Sequence, residues 1–439
     1  MRRAARLLAV ALLVCGCAER RPGDIVLITI DTLRADHLGI YGYERPTSPQ
    51  LERLFHEGAV FERAYATSAY TSASTASLLT GALPQEHGVR LFDQIFPETV
   101  PLASELLPEA YQTAAFISTK ILSDKGTGIA SRFDHFDDEI AEHERVAGSL
   151  TDAALAWLRD GRDPERPLFL WVHYKDPHAP YAPPEGYRGR YRHEAPSGRP
   201  LKRIPPYARD ATATDPLDYV DRYDEEIAYT DAEVGRLLDG YAARSALDDA
   251  LVLLTADHGE SLLERYLWFV HAHQVFEEQV RVPLLLRGPG VVPGPRRGLV
   301  SGIDVLPTLL AFAGAPRPPD LVGIDLRAAA AVADDRVVFA ESIHYLNGSQ
   351  WRAAIQRDRK WTVMLRRDGE LVRQRRVFDL RADPGEKEPQ PWSDGATAGE
   401  QLLALARADP DPAGQPDAVE RGGLVESNPA LLKLLGYAE

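Results

Sequence analysis

The run Thr71-Ser-Ala-Ser-Thr-Ala-Ser-Leu-Leu-Thr-Gly81 leads small hydroxylated residues into an apolar turn and a glycine. Such a run reads as a loop entering the first turn of a helix, with Ser/Thr as the N-cap. It also offers chemistry. A hydroxyl at the positive end of that helix, set beside a bound cation, can act as a nucleophile, and Thr71 supplies one. Elsewhere, groups that bind metals or anions follow apolar runs: Asp31 after Ile25–Ile30, Lys120 after Thr113–Ile117, His178 after Leu168–Val172, and Asp257-His258-Gly259 after Leu251–Thr255.

Each of those apolar runs reads as a buried parallel strand. Between the last two, Leu217 to Tyr241 reads as an amphipathic helix with Ile227, Val234, Leu237 and Leu238 on one side. Strands alternating with helices imply an α/β fold, a doubly wound and mostly parallel sheet with helices on both faces. In open sheets of this type ligands sit beyond the carboxyl ends of the strands. Asp31, Lys120, His178, Asp257 and His258 are therefore expected to converge there, while His173 reads as a packed residue at a strand end. The expected catalytic domain covers residues 24–320. After Gly323, short alternating runs at 336–340, 351–356, 361–365 and 376–378, with Asp368-Gly369 between the last two, predict a small C-terminal antiparallel subdomain over 321–390. Residues 391–439 read as a polar tail with a short terminal helix at Leu431–Leu435.

A chain of 439 residues is long enough for one large domain and a smaller one. Lys+Arg 50 against Asp+Glu 65 gives a net charge of −15, which argues against nucleic acid as a partner. The two cysteines are Cys15 and Cys17, so the folded body has neither a disulfide framework nor a cysteine metal site. Arg2, Arg3 and Arg6 precede a short apolar run ending in Val14-Cys15-Gly16-Cys17, which resembles a bacterial lipobox. Residues 1–17 read as a lipoprotein signal peptide, with Cys17 receiving the lipid. The expectation is a periplasm-facing lipoprotein of the bacterial cell envelope, held to the membrane only by that lipid.

Several segments, taken in order, resemble those of the sulfatase family, part of the alkaline-phosphatase superfamily. They are Ile28-Thr-Ile-Asp31-Thr-Leu-Arg-Ala-Asp, Thr71 to Gly81, Asp176-Pro-His178-Ala-Pro-Tyr181, Thr255-Ala-Asp-His-Gly259 and Phe276-Glu-Glu-Gln-Val-Arg-Val-Pro283, then Ile303–Leu310 and Phe378–Gly385. The resemblance implies a hydrolase that cleaves sulfate or phosphate esters at a metal-bound nucleophile. It breaks where the nucleophile stands. Sulfatases carry Cys-x-Pro-Ser-Arg there, with the Cys (sometimes Ser) oxidised to formylglycine; this chain has Thr71, Ala73 and Thr75 at the Cys, Pro and Arg places. Threonine is a secondary alcohol, and oxidation would give a ketone, so formylglycine is chemically excluded. Related phosphoethanolamine and lipoteichoic acid transferases, and nucleotide phosphodiesterases, use threonine as a plain nucleophile. A threonine ester has to be released by in-line attack on phosphorus or sulfur, which favours phosphate esters or diesters over sulfate.

The resemblance also implies one divalent metal ion held by Asp31, Asp257, His258 and the Thr71 oxygen. Those O/N donors lean hard. Sulfatases usually have two adjacent aspartates where this chain has Asp31-Thr32; the loss weakens the case for calcium, while His258 permits manganese or zinc, with magnesium also compatible with the donors. His178 matches the family's anion-binding histidine. His271 falls at the spacing of its second anion-binding Lys or His, better than His273, and either can donate a proton to a leaving oxygen if its pKa stays near neutral. Lys120 stands near a family motif, Gly-Lys-Trp-His-Leu-Gly, that is otherwise lost. The expected substrate is a small anionic ester or a glycan or lipid headgroup. Two alternatives remain: a catalytically inactive lipoprotein that binds such a group, consistent with the lost Arg, Pro and Asp, and a headgroup transferase.

Overall fold

The computed structural model describes residues 23–92, 94–140, 145–202, 204–333, 335–343, 349–366, 375–392 and 397–408. Cys17 with its leader, the Asp368-Gly369 stretch and Leu431–Leu435 lie outside the described residues.

Ile25–Ile30, Leu168–Tyr174 and Leu251–Ala256 are buried along their whole length, as continuous apolar strands covered on both faces must be. They form the centre of an eight-stranded sheet. Its order is Gly294–Arg296, Ala59–Phe61, Leu284–Arg287, Leu251–Ala256, Ile25–Ile30, Leu168–Tyr174, Gln112–Ile117, His135–Asp137. Pairing is parallel from Leu251–Ala256 to His135–Asp137. It turns antiparallel on both sides of Leu284–Arg287, so the sheet is mixed rather than wholly parallel. Helices Ala147–Asp160 and Pro216–Ala242 pack together, and Thr71–Thr80 packs with Val305–Ala313.

The C-terminal strands Val337–Ile343, Gln350–Gln356, Arg359–Leu365 and Arg376–Asp379 form a four-stranded antiparallel meander. Part of the stretch read as a polar tail is ordered against it: Thr397–Ala408 is a helix burying Ala398, Leu402, Leu403 and Ala406 beside Trp361, Val363 and Leu365. That spacing of 4, 1 and 3 residues is a helical face, which the Pro/Asp/Gly content around it obscures. The meander is not detached from the main domain. Glu341 N–H donates to Thr67 O (2.9 Å) and Ala69 N–H donates to Glu341 O (3.3 Å), immediately ahead of Thr71.

Candidate active site

Strand register determines which residues meet. Ile30 pairs with Tyr174 on one side and with Ala256 on the other, so Asp31, Lys175 and Asp257 leave the sheet at one level. Side chains alternate along a strand, which places Thr29 and Asp31, His173 and Lys175, Thr255 and Asp257 on a common face. Thr29 Oγ1 touches His173 Nδ1 across that face at 2.8 Å.

Thr71 is the first residue of its helix, and Tyr70 is the N-cap with no side-chain capping bond. The Ser/Thr cap expected from the sequence is therefore absent. The first helical bond runs from Ser74 N–H to Tyr70 O, so the amides of Thr71, Ser72 and Ala73 form the positive end of the helix. Ser74 spends its hydroxyl on Asp257 O at 2.5 Å, tying the helix to the strand end. The Thr71 hydroxyl, free of capping duty, lies 3.2 Å from His258 Nε2. His258 Nδ1 lies 2.9 Å from Gly259 O, to which it can only donate. That tautomer leaves Nε2 as a bare acceptor, 3.7 Å from Asp31 Oδ1 and 3.6 Å from Asp257 Oδ2. Separations of this size suit donors sharing one ion with bonds of about 2.0–2.6 Å.

Asp31 and Asp257 are buried, and Asp31 Oδ1, Asp257 Oδ2 and His173 Nε2 make no hydrogen bond. Ligand atoms of Asp31, His173 and Asp257 lie within 4.8 Å of one another. Burial first, then the Asp257 charge, pushes the Asp31 carboxyl well above its usual range. Burial likewise raises Asp257 to about 7, against hydrogen bonds from the His258 and Thr32 amides that hold it down. Facing carboxylates with unsatisfied oxygens are costly unless a cation lies between them. These donors fit a divalent ion, with His173 added to the residues expected from the sequence.

Beside this group stand His271 and His178. The His271 ring centre is 4.5 Å from that of His258 and 5.0 Å from that of His178. Burial lowers His271 to about 3, with Lys175 adding to the effect, and lowers His178 well below its usual value. Both are neutral at physiological pH, so the environment suits His271 to binding an oxygen rather than protonating a leaving group. Glu260 Oε1 approaches His271 Nδ1 at 3.2 Å, and burial raises Glu260 to about 8. Positive φ at Phe269 (56°) and Ala272 (63°) turns this loop sharply. His271 is buried, while His273, two residues on, is only partly buried. Lys120 opens a turn at Lys120–Leu122, whose Ile121 packs with Tyr70, Ala73 and Ala272. That puts Lys120 at the edge of the group, next to the start of the Thr71 helix.

His173, Lys175 and Glu260 were not among the candidates drawn from the sequence. Lys175 is buried, with its Nζ 3.4 Å from both His178 O and Ala179 O, and it lowers Asp31 electrostatically. The signal for two of them was present: His173 and Lys175 sit two apart at the carboxyl end of Leu168–Tyr174, on the face that carries Asp31.

The Sulfatase family profile matches residues 23–315. Choline-sulfatase of Rhizobium meliloti (strain 1021) is 27% identical over 349 residues, covering 66% of this chain and 67% of that one. A solved enzyme bound to its substrate D-glucosamine-2-N,6-O-disulfate superposes with a TM-score of 0.70 at 20% identity, over 88% of this chain and 97% of that one. The phosphonate monoester hydrolase of Agrobacterium radiobacter superposes with a TM-score of 0.67 at 18% identity, over 89% and 96% of the two chains. At these identities the two structures share the fold.

Proposed function

The chain belongs to the sulfatase family of ester hydrolases, and on that premise we propose that Thr71 is the nucleophile of a metal-dependent hydrolase acting on anionic phosphate or sulfate esters. One observation carries the reading. The Thr71 hydroxyl lies 3.2 Å from the bare nitrogen of His258, which itself stands 3.7 and 3.6 Å from one oxygen each of Asp31 and Asp257.

Asp31, Asp257, His258 and His173 would hold the cation, which when bound lowers the pKa of a nearby hydroxyl and neutralises an anionic ester. The amides at the start of the Thr71 helix add fixed positive potential for the ester anion. His271, neutral and buried, donates from Nε2 to one of its oxygens when protonated Glu260 donates to its Nδ1. His178, whose Nδ1 proton goes to Ala179 O, binds the anion once its Nε2 takes up a proton with it, and Lys120 and His273 stand outside them. Thr71 Oγ1 then attacks sulfur or phosphorus in line, the bond to the leaving alcohol breaks, and the hydroxyl proton passes to that alcohol. Water attacks the Thr71 ester at the same atom, regenerating the hydroxyl and releasing inorganic phosphate or sulfate from a monoester, or a phosphate monoester from a diester. With no aldehyde available to expel sulfate by C–O cleavage, phosphoryl esters are favoured over sulfate. A relative named choline-sulfatase, and a neighbour holding a sulfated glucosamine, support a small anionic headgroup or an anionic glycan as substrate. Cys17 is the proposed lipid attachment point facing the periplasm; membrane association lost in Cys17→Ser would support it, and retained association would count against it.

The test is a panel of 4-nitrophenyl phosphate, a 4-nitrophenyl phosphodiester and 4-nitrophenyl sulfate with Mn, Ca, Mg or Zn. Turnover by wild type should fall about 1,000-fold or more in Thr71→Ala. Turnover that survives this substitution would remove the mechanism.

A further inference from the structure

Glu341 belongs to the C-terminal meander, yet three of its groups face the nucleophile's surroundings. Its backbone N–H donates to Thr67 O at 2.9 Å, and its carbonyl accepts from Ala69 N–H at 3.3 Å. Ser68, between them, pairs with Glu341 in parallel. The Tyr70 amide donates to Ser68 Oγ at 3.2 Å, which ties the residue before Thr71 to the one that pairs with Glu341. The Glu341 carboxylate reaches the other way, into a fork from Arg90: Nε donates to Oε1 at 2.7 Å, and Nη2 donates to Oε2. Both side chains are buried, 5% and 6% exposed. Arg352 Nε lies 4.0 Å from the same carboxylate.

The Arg90 segment returns to the Thr71 helix from the opposite side. Leu91 and Phe92 pack with Tyr70 and Ala73, and Ser72 Oγ donates to Phe92 O at 3.4 Å. The chain entering the helix and the loop beside its first turn are therefore joined through one buried carboxylate on a third segment. A bidentate fork has little angular freedom. A buried ion pair adds little net stability over an apolar pair of equal volume, so what this one supplies here is geometry.

We infer that Glu341 is a positioning residue, through which the C-terminal meander sets the direction of the Thr71 oxygen. The inference rests on Thr71 being the nucleophile. It makes the meander part of the catalytic apparatus, although none of its residues is placed against substrate.

The experiment compares wild type, Thr71→Ala, Glu341→Gln, Glu341→Asp and Arg90→Lys in the full chain, using the 4-nitrophenyl ester and cation that the wild type turns over. Misplacement of a nucleophile by about 1 Å costs on the order of 100-fold. Glu341→Gln and Arg90→Lys should therefore lower kcat about 10- to 100-fold with KM within about threefold, and Glu341→Asp should recover part of the loss. Hydrogen exchange, which needs no substrate, should quicken at the amides of Ala69 and Tyr70 in Glu341→Gln. Arg90→Lys keeps the buried charge pair and decides the matter if Glu341→Gln fails to fold. Wild-type kcat in Arg90→Lys, or unchanged exchange and kcat in a folded Glu341→Gln, overturns the inference while an inactive Thr71→Ala leaves the nucleophile standing. An active Thr71→Ala removes the reading beneath both.

Discussion

Two groups of buried charge invite comparison, one at the carboxyl ends of the central strands and one where the meander meets the segment after His273. Burial acts on both alike: it raises Asp257 to about 7 and Glu386 to about 7. Their partners differ. Lys360 Nζ lies 3.1 Å from Glu277 Oε1 and 3.1 Å from Glu386 Oε1, and Arg265 donates to Glu278 at 2.6 Å. At the strand ends, oxygens of Asp31 and Asp257 face a bare His258 nitrogen and an unbonded His173 nitrogen. The chain completes the meander cluster with its own cations. At the strand ends it leaves donor atoms unbonded, as the proposed ion would require, and that is how a binding site would differ from a structural network of similar composition.

The strongest way to break the comparison is Lys360→Met. It leaves Glu386 buried and Glu277 part-buried without their ammonium partner and should cost about 3–5 kcal/mol in denaturant unfolding. Added divalent cation should not restore it; restoration would mean that the two clusters are equivalent.

Next in size is the cation itself. Mn, Zn or Ca at 100 times its Kd should stabilise the wild type by about 2.7 kcal/mol, and Asp257→Asn should abolish the gain. The pH dependence sharpens this. Asp257 titrates at about 7 in the folded chain against its ordinary 3.8. Without cation its contribution is therefore fully present below about pH 4 and is lost as pH rises through about 7. Chelator-treated protein should lose melting temperature across that window, and saturating cation should flatten the slope. A flat profile in chelator would contradict the assignment.

The smallest expected effect separates His173 from a packed residue. His173→Gln should weaken the cation about tenfold, or about 1.4 kcal/mol by titration calorimetry. Unchanged affinity would leave the ion with Asp31, Asp257 and His258 alone.

Much of this site was legible before any coordinates. Asp31 and Asp257-His258 follow uninterrupted apolar runs, and such runs announce parallel strands whose carboxyl ends carry ligands. Thr71 was marked by the small hydroxylated run ahead of an apolar turn, although its cap is Tyr70 and not a hydroxyl. His173 reads as a packed residue and is buried inside a strand that extends to Tyr174; its approach to Asp31 and Asp257 depends on strand order, which the sequence does not give. The Thr397–Ala408 helix was hidden by the composition around it.

Residue chemistry was settled by the sequence alone: a secondary alcohol at position 71 that no oxidation turns into an aldehyde, and a body free of cysteine. Periodicity likewise told which residues share a face of each strand. Neighbour order was not available there, because pairing of strands 144 and 226 residues apart depends on long-range packing that no local pattern encodes. Only the fold brought Ile30 beside Tyr174 and Ala256, stitched Glu341 to the chain ahead of Thr71, and turned His271 inward with His273 less buried.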